Sequence, residues 1–257
     1  MARPLALIGL LATLLSPPLA ALTYYAEQDL PFSGQDQEGR GTGFSIEVLR
    51  LMWQELGQEE APIQFQPWAR GWYLLTQQPD AVLISTARTP SRASQLQWVC
   101  PISSARIVLM ARADALPTIQ RGADLLALRI GVMQADVGEQ LLLNRGVPPS
   151  QLMTVPSMDR VARLLLLART DLVAGNEVIL RHQIRQLGYP EEQFVTVAVL
   201  ARQDNCFAFN AAVDPAEVAR LQQALDKVRQ GPAFRALQAR YRDEFAPGNN
   251  ALLPEIE

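Results

Sequence analysis

Residues 129–187 read RIGVMQADVGEQLLLNRGVPPSQLMTVPSMDRVARLLLLARTDLVAGNEVILRHQIRQL, and they contain three strand-like runs that are each followed by a helix-like run. The strands are predicted at 129–133, 152–155 and 171–174, and the helices at 137–144, 159–168 and 177–187. Strands that alternate with helices pack as βαβ units, so this stretch predicts an α/β unit with a largely parallel sheet.

The same alternation is present nearer the N-terminus. The strands there are predicted at 22–26, 63–65 and 81–85, and the helices at 44–56 and 71–77. The apolar stretches 105–111 and 195–200 lie between and after the two blocks, so we interpret them as two crossings between two lobes. Two further helices are predicted at 215–229 and 232–245.

The first 21 residues have the layout of a secretory signal peptide. Arg3 gives a short positive start, residues 5–15 form an apolar core, and prolines and small residues follow. A membrane anchor is the alternative, but it needs about 20 apolar residues and Pro17 interrupts the run. The sequence therefore predicts export to the periplasm, with cleavage after Ala20 or Ala21.

The charge balance argues against nucleic acid or an anionic membrane as a partner. The chain has 23 Lys and Arg residues against 26 Asp and Glu residues, and a formal net charge of -3. Its two cysteines and single histidine cannot build the usual four-ligand zinc site without carboxylates, and no metal-ligand spacing is present. We therefore expect no metal and no cofactor.

Four motifs follow one another along residues 30–134. They are LPFS (30–33) with GFSIEV (43–48), FQPWAR (65–70), RTPSR (88–92) with WVCPI (98–102), and LRIGVMQ (128–134). In this order and spacing they resemble the bacterial extracellular solute-binding proteins of family 3, which include periplasmic polar amino-acid-binding proteins. The resemblance covers nearly all of the chain after the predicted signal peptide.

The resemblance implies an α/β fold of the periplasmic-binding-protein type, in which two α/β lobes are joined by two crossover strands and enclose a ligand cleft. Together with the predicted signal peptide and the two crossings, it divides the chain into a signal peptide, two lobes and a C-terminal tail, at 1–21, 22–107 plus 204–250, 108–203 and 251–257. It also implies a monomer that captures a small polar solute for an inner-membrane permease of the ABC type. A ligand-sensing partner of a membrane receptor is an alternative.

The resemblance also places ligand contacts at the cleft. Arg92 falls where family members grip a ligand carboxylate, Trp68 where a flat side chain packs on the ligand, and Asn176 where amino-acid binders carry an aspartate for the ligand ammonium. The other expected contacts are Tyr25, Glu27, Arg70, Ser85, Gln134 and Asp136. Structural roles remain as alternatives: Arg92 as a strand cap, Trp68 in the core, and Tyr25, Glu27 and Arg70 at solvated edges.

Two departures from the family pattern concern the second lobe. Asp136 replaces the serine or threonine expected at the start of a helix, and Asn176 replaces the partner of the ligand ammonium. An ionised Asp136 would repel a ligand carboxylate, and an Asp136 that caps its helix would occupy the N–H groups that a carboxylate needs. Either way, we expect a ligand other than a standard α-amino acid held in the usual manner.

A binding protein is favoured over an enzyme. Some relatives on this fold are dehydratases or lyases, and that chemistry needs a positioned acid or base. Glu27, Asp136 and Glu177 are the candidates for such a group in the cleft, whereas His182 is predicted on a helix surface. We expect no catalytic residues.

Cys100 and Cys206 fall beside the two predicted crossings. Because an exported chain meets an oxidising compartment, a disulfide between them is one hypothesis. Two free cysteines, buried as small apolar side chains, are the alternative.

Overall fold

Two α/β lobes make up the computed structural model of the chain, which describes residues 21–119 and 122–245. The predicted signal peptide and C-terminal tail lie outside the described residues, apart from Ala21. The elements up to the first crossing are β1 (Thr23–Ala26), β2 (Gly34–Gln35), β3 (Gly41–Thr42), α1 (Phe44–Glu55), β4 (Ile63–Phe65), α2 (Trp68–Gln77), β5 (Ala81–Arg88) and α3 (Pro90–Ala93).

The rest of the chain crosses to the second lobe and returns. Its elements are β6 (Gln97–Arg112), β7 (Ile130–Met133), α4 (Val137–Asn144), β8 (Leu152–Val155), α5 (Met158–Leu166), β9 (Leu172–Asn176), α6 (Glu177–Gln186), β10 (Phe194–Phe209), α7 (Pro215–Gln230) and α8 (Pro232–Arg240). Short 3₁₀ helices lie at Gly122–Ala127, Pro149–Gln151 and Glu191–Gln193. The last two α-helices return to pack on α1.

One sheet runs through both lobes in the strand order β4-β1-β5-β10-β6-β9-β7-β8. The outer strands are parallel within each lobe, whereas β6 and β10 are antiparallel to each other and to their neighbours β9 and β5. The expectation of a largely parallel sheet was therefore wrong for its centre. The physical reason is that the chain crosses between the lobes in opposite directions, so the two crossing strands must run antiparallel.

The two crossings are longer than the sequence predicted. β6 and β10 are 16 residues each and pair along most of their length. β10 pairs with β5 of the first lobe from Asp204 onward, and β6 pairs with β9 of the second lobe from Ile107 to Met110. The lobe division expected at 107/108 and 203/204 falls inside these two strands.

A disulfide joins the two crossing strands at their first-lobe ends. The sulfur atoms of Cys100 and Cys206 are 2.00 Å apart, and 106 residues of sequence separate the two cysteines. The closed loop therefore contains the whole second lobe.

Most other boundaries agree with the sequence to within a few residues, and two helices differ more. α2 begins at Trp68 and not at Gly71. Gly71 is an interior position of the helix, where an added Cβ atom would lie 3.0 Å from the side chain of Leu83. Gly71 thus allows close helix–sheet packing and does not start the helix. α8 ends at Arg240, and residues 241–245 form turns.

Gly43, the residue before α1, adopts a backbone conformation that only glycine tolerates. Its φ is 105° and its ψ is 159°. A Cβ atom there would lie 2.6 Å from the carbonyl oxygen of Phe32 and 2.9 Å from the backbone nitrogen of Ser33. Both neighbours are backbone atoms, so neither can move away by changing a rotamer.

We expect Gly43→Ala to lower the free energy of unfolding by about 2–3 kcal/mol, measured by urea unfolding. Gly57→Ala is the matched control, because Gly57 has a φ of 63° but nothing within 4 Å of an added Cβ. That variant should lose only about 1 kcal/mol from the unfavourable φ. Equal losses in the two variants would show that the contact with Phe32 does not matter.

Candidate ligand cleft

A cavity of about 40 Å³ lies between the two lobes. Its lining residues come largely from the carboxyl ends of the strands in both lobes, which is where open α/β sheets bind ligands. The polar lining residues are Glu27, Asp29, Ser33, Ser85, Asp136, Asn176 and Asn205, and the indole of Trp68 joins them. A larger hollow of about 800 Å³, bordered by Arg88, Arg106 and Phe245, is an open surface depression without these convergent groups.

The first lobe contributes two carboxylates, which follow β1. Glu27 is buried, and its carboxylate accepts a hydrogen bond from the backbone N–H of Trp68 at the start of α2. Burial, followed by the charges of Asp29 and Asp136, raises the pKa of Glu27 well above its usual value. Burial and then the charge of Asp136 likewise raise the pKa of Asp29 well above its usual value.

The second lobe contributes two helix caps. The Asp136 carboxylate accepts a hydrogen bond of 3.4 Å from the backbone N–H of Gly138, and Asn176 Oδ1 accepts one of 3.0 Å from that of Val178. These contacts make Asp136 the N-cap of α4 and Asn176 the N-cap of α6. Burial raises the pKa of Asp136, and the nearby guanidinium of Arg92 opposes that increase.

The carbonyl oxygen of Ala135 holds the two lobes together at the cleft. Trp68 Nε1 donates a hydrogen bond of 2.9 Å to it, and Arg92 Nη2 donates one of 3.1 Å. Ala135 itself has a φ of 60°, and its N–H donates to the Glu139 carboxylate on α4 at 2.7 Å. Both contacts from the first lobe thus end on one backbone oxygen of the second.

Arg92 is almost completely buried beneath two indoles. Its guanidinium carbon lies 4.5 Å from the ring centre of Trp72 and 5.6 Å from that of Trp68, which is a cation–π arrangement. Nη1 donates a long hydrogen bond of 3.5 Å to the carbonyl of Ala87. Burial lowers the pKa of Arg92, and Asp136 opposes that change. The side chain does not line the cavity.

Ser85 lines the cavity within a small hydroxyl and amide network. Its φ is 64°, and its Oγ accepts hydrogen bonds from Asn205 Nδ2 at 2.9 Å and from Ser45 Oγ at 3.2 Å. Asn205 lies on the crossing strand β10. This network connects the first-lobe strand ends to the crossing at the floor of the cleft.

The structure therefore brings together Glu27, Trp68, Ser85, Asp136 and Asn176 from the expected set. It places the others elsewhere: Tyr25 donates its hydroxyl to Gln78, Arg70 and Gln134 are exposed, and Arg92 lies behind the indoles.

Asp29 and Asn205 line the cavity but were not anticipated. The position of Asp29, three residues after β1, was the one available signal for it. The expectation that His182 lies on a helix surface was wrong, because it is buried with Nδ1 3.3 Å from the Glu244 carboxylate.

The described residues contain no group of three or more His, Cys, Asp or Glu side chains that could hold a metal ion. Within the same residues, no helix is both long and apolar enough to cross a membrane.

Two α/β lobes on shared crossing strands, with a cavity between them, define the fold of a two-lobed binding protein. The family model of the bacterial extracellular solute-binding proteins, family 3, matches residues 22–244. The chain belongs to this family. A comparison with curated proteins gives no significant match.

Solved structures of low sequence identity share this fold. A histidine kinase sensor domain with similarity to periplasmic binding proteins has a TM-score of 0.77 at 21% identity, over 86% of this chain and 96% of that one. A mutant of ArgBP from T. maritima has a TM-score of 0.74 at 17% identity, over 87% and 95%. The arginine-, lysine-, histidine-binding protein ArtJ from Geobacillus stearothermophilus has a TM-score of 0.71 at 15% identity, over 90% and 98%.

Proposed function

We propose that the protein is a periplasmic solute-binding protein that captures a small polar solute in the cleft and delivers it to an inner-membrane permease of the ABC type. The observation that carries the proposal is the cavity itself, which takes polar groups from the strand ends of both lobes. The family's extracellular character and the predicted signal peptide support the periplasmic location. The proposed lobes are 22–107 plus 204–250 and 108–203.

No reaction is assigned to the cleft. Cys100 and Cys206 are bonded to each other, so neither thiol serves as a nucleophile in this form. His182 contacts Glu244 and does not line the cavity. The remaining acids of the cleft are sufficient for binding a solute, and binding is the simpler use of a site that both lobes enclose.

A thermal-shift screen tests the proposal. Amino acids, amines, carboxylates and sugars would be screened at millimolar concentrations, and at least one should raise the melting temperature. A solute at about 100 times its dissociation constant stabilises the fold by about 2.7 kcal/mol, which corresponds to several degrees for a chain of this size. The absence of a shift with every solute would overturn the proposed function.

The Trp68→Phe variant tests whether the solute that raises the melting temperature binds in the cleft. This change keeps an aromatic ring but removes the Nε1 hydrogen bond to Ala135, so closure around the solute should weaken and the shift should shrink. Tyr73→Phe is the matched control, because Tyr73 lies on the same helix and is 59% exposed. An undiminished shift in Trp68→Phe would place the solute outside the cleft.

A further inference from the structure

Taking the cleft as the ligand site, as proposed above, we infer that the ligand is a small organic cation without a carboxylate, an ammonium or guanidinium group held by Glu27, Asp29 and Asp136. These three acidic side chains line the cavity, and no lysine or arginine of the described residues lines it with them. An opposite charge is what stabilises ionised carboxylates that are removed from water.

Arg92, the cation that acts on Asp136, is largely engaged, although its buried Nε has no hydrogen-bond partner among the described residues. Two of its nitrogens donate to the carbonyls of Ala135 and Ala87, and its guanidinium lies over Trp72. It offsets only part of the local negative charge, because one guanidinium stands against three carboxylates. Where these carboxyls are ionised, an incoming carboxylate would therefore meet excess negative charge. Where they keep their protons, it would still find no bidentate cationic partner among the described residues that line the cavity.

The two helix starts of the second lobe do not favour an anion either. Asp136 and Asn176 use their own side-chain oxygens to cap α4 and α6, and so occupy N–H groups in each first turn. An anion at the start of α4 would lie beside the Asp136 carboxylate. A cation at that position would gain from the same carboxylate.

Glu27 and Asp29 provide an independent reason to expect a cationic partner. Glu27 is 9% exposed, and in the described part of the chain its carboxylate accepts the N–H of Trp68 and contacts no cationic side chain. Within residues 21–119 and 122–245, the Asp29 carboxylate forms neither a hydrogen bond nor an ion pair. Carboxylates that line a partly closed cavity without a cationic partner are costly when ionised, and a ligand cation would compensate both Glu27 and Asp29.

The size of the cavity limits the ligand to a few heavy atoms. A volume of about 40 Å³ holds roughly three water-sized groups, since one water needs about 10–15 Å³ by this measure. The indole of Trp68 forms part of the wall and offers an aromatic surface to a cation. A guanidinium or a short alkylammonium has this size and this charge.

Binding of a cation should release protons and weaken at acid pH. Burial raises the pKa of Glu27 and Asp29, so without a cation these carboxyls tend to keep their protons. The charged groups that act on Glu27 are Asp29, Asp136 and Asp159, and Asp136 also acts on Asp29. Arg92 and Glu139 act on Asp136. Because the cation needs the ionised form, affinity is lost as pH falls through the raised pKa values.

Calorimetry with defined probes tests the inference. Guanidinium, methylammonium and ethanolamine are compared with acetate, glycolate and a neutral sugar. At least one of the cations should bind with a dissociation constant below about 1 mM at about pH 8, and weaken by about tenfold at about pH 5.5. Buffers with different ionisation enthalpies should report proton release on binding.

Three variants assign the binding to the cluster. Glu27→Gln and Asp136→Asn preserve size, and the latter preserves the helix cap, so both should fold and bind the cation at least about tenfold more weakly. Glu192→Gln, at an exposed position, should bind as the unmodified protein does. Binding of acetate or the sugar with all cations inert would overturn the inference and leave the cleft as a solute site. If none of the solutes binds, both the inference of a cationic ligand and the proposed solute-binding function are overturned.

Discussion

Replacing Cys100 and Cys206 together with alanine should lower the free energy of unfolding by about 2–5 kcal/mol. The cross-link restricts the unfolded chain, and the restriction is large because the closed loop contains the entire second lobe. Equilibrium urea unfolding of the oxidised protein and the double variant measures the difference.

The unmodified protein provides the control. Unfolded and refolded in the presence of a reductant, it should show nearly the same midpoint as the double variant, because both then lack the cross-link. Intact mass under denaturing, non-reducing conditions should show the loss of two hydrogens in protein exported to the periplasm. Equal midpoints with and without reductant, together with two free thiols, would refute the disulfide.

Arg92→Met should lower the free energy of unfolding by about 3–5 kcal/mol near neutral pH, and by less in acid. The change removes the guanidinium from Trp72 and from the Ala135 carbonyl, and leaves Asp136 buried without its nearest cation. The loss should appear in urea unfolding at about pH 7.5 and shrink at about pH 5.

The direction of this pH dependence follows from Asp136. Burial already raises the pKa of this carboxyl, and loss of the opposing guanidinium should raise the pKa further. A carboxyl with a raised pKa favours the folded state when it is protonated, and that contribution is lost as pH rises through the folded-state pKa. The variant should therefore lose less unfolding free energy in acid, because a protonated Asp136 is neutral and does not need a nearby cation.

Arg88→Met is the matched control for this substitution. Arg88 is exposed and lies four residues before Arg92, so its replacement should change the unfolding free energy by no more than about 0.5 kcal/mol at either pH. A loss in Arg92→Met that is equal at both pH values would show that Asp136 does not depend on Arg92.

Local patterns in the sequence predicted the outer parts of the fold well. β4, α4 and β8 have the predicted bounds, because each is a short run with one clear period and clear ends. The crossing strands were recognised only in their apolar parts. Residues 97–104 of β6 read QWVCPISS, in which Pro101 and the polar residues at both ends interrupt the apolar run. Their strand character comes from pairing with β10, which is a non-local interaction.

The cleft was predictable where a residue follows a strand directly. Glu27 and Asn176 stand directly after a strand or at its last residue, and Asp136 starts the helix that follows β7; the edge of a parallel sheet brings such positions together. Asp29 depends on the tight turn closed by its backbone bonds with Ser33. The burial of Arg92 depends on the two indoles of α2, and no local pattern shows which side chain they will cover.

The hydrogen bonds to the Ala135 carbonyl bear on how long a solute would stay bound in the proposed site. Trp68 and Arg92 close the lobes onto this oxygen through bonds between protein atoms alone. Their contribution is therefore the same for every solute in the cleft, so it cancels when two solutes compete and adds nothing to selectivity. If the cleft binds a solute as proposed, these bonds should slow the opening that precedes its release, so the residence time should depend in part on the protein and not only on the solute.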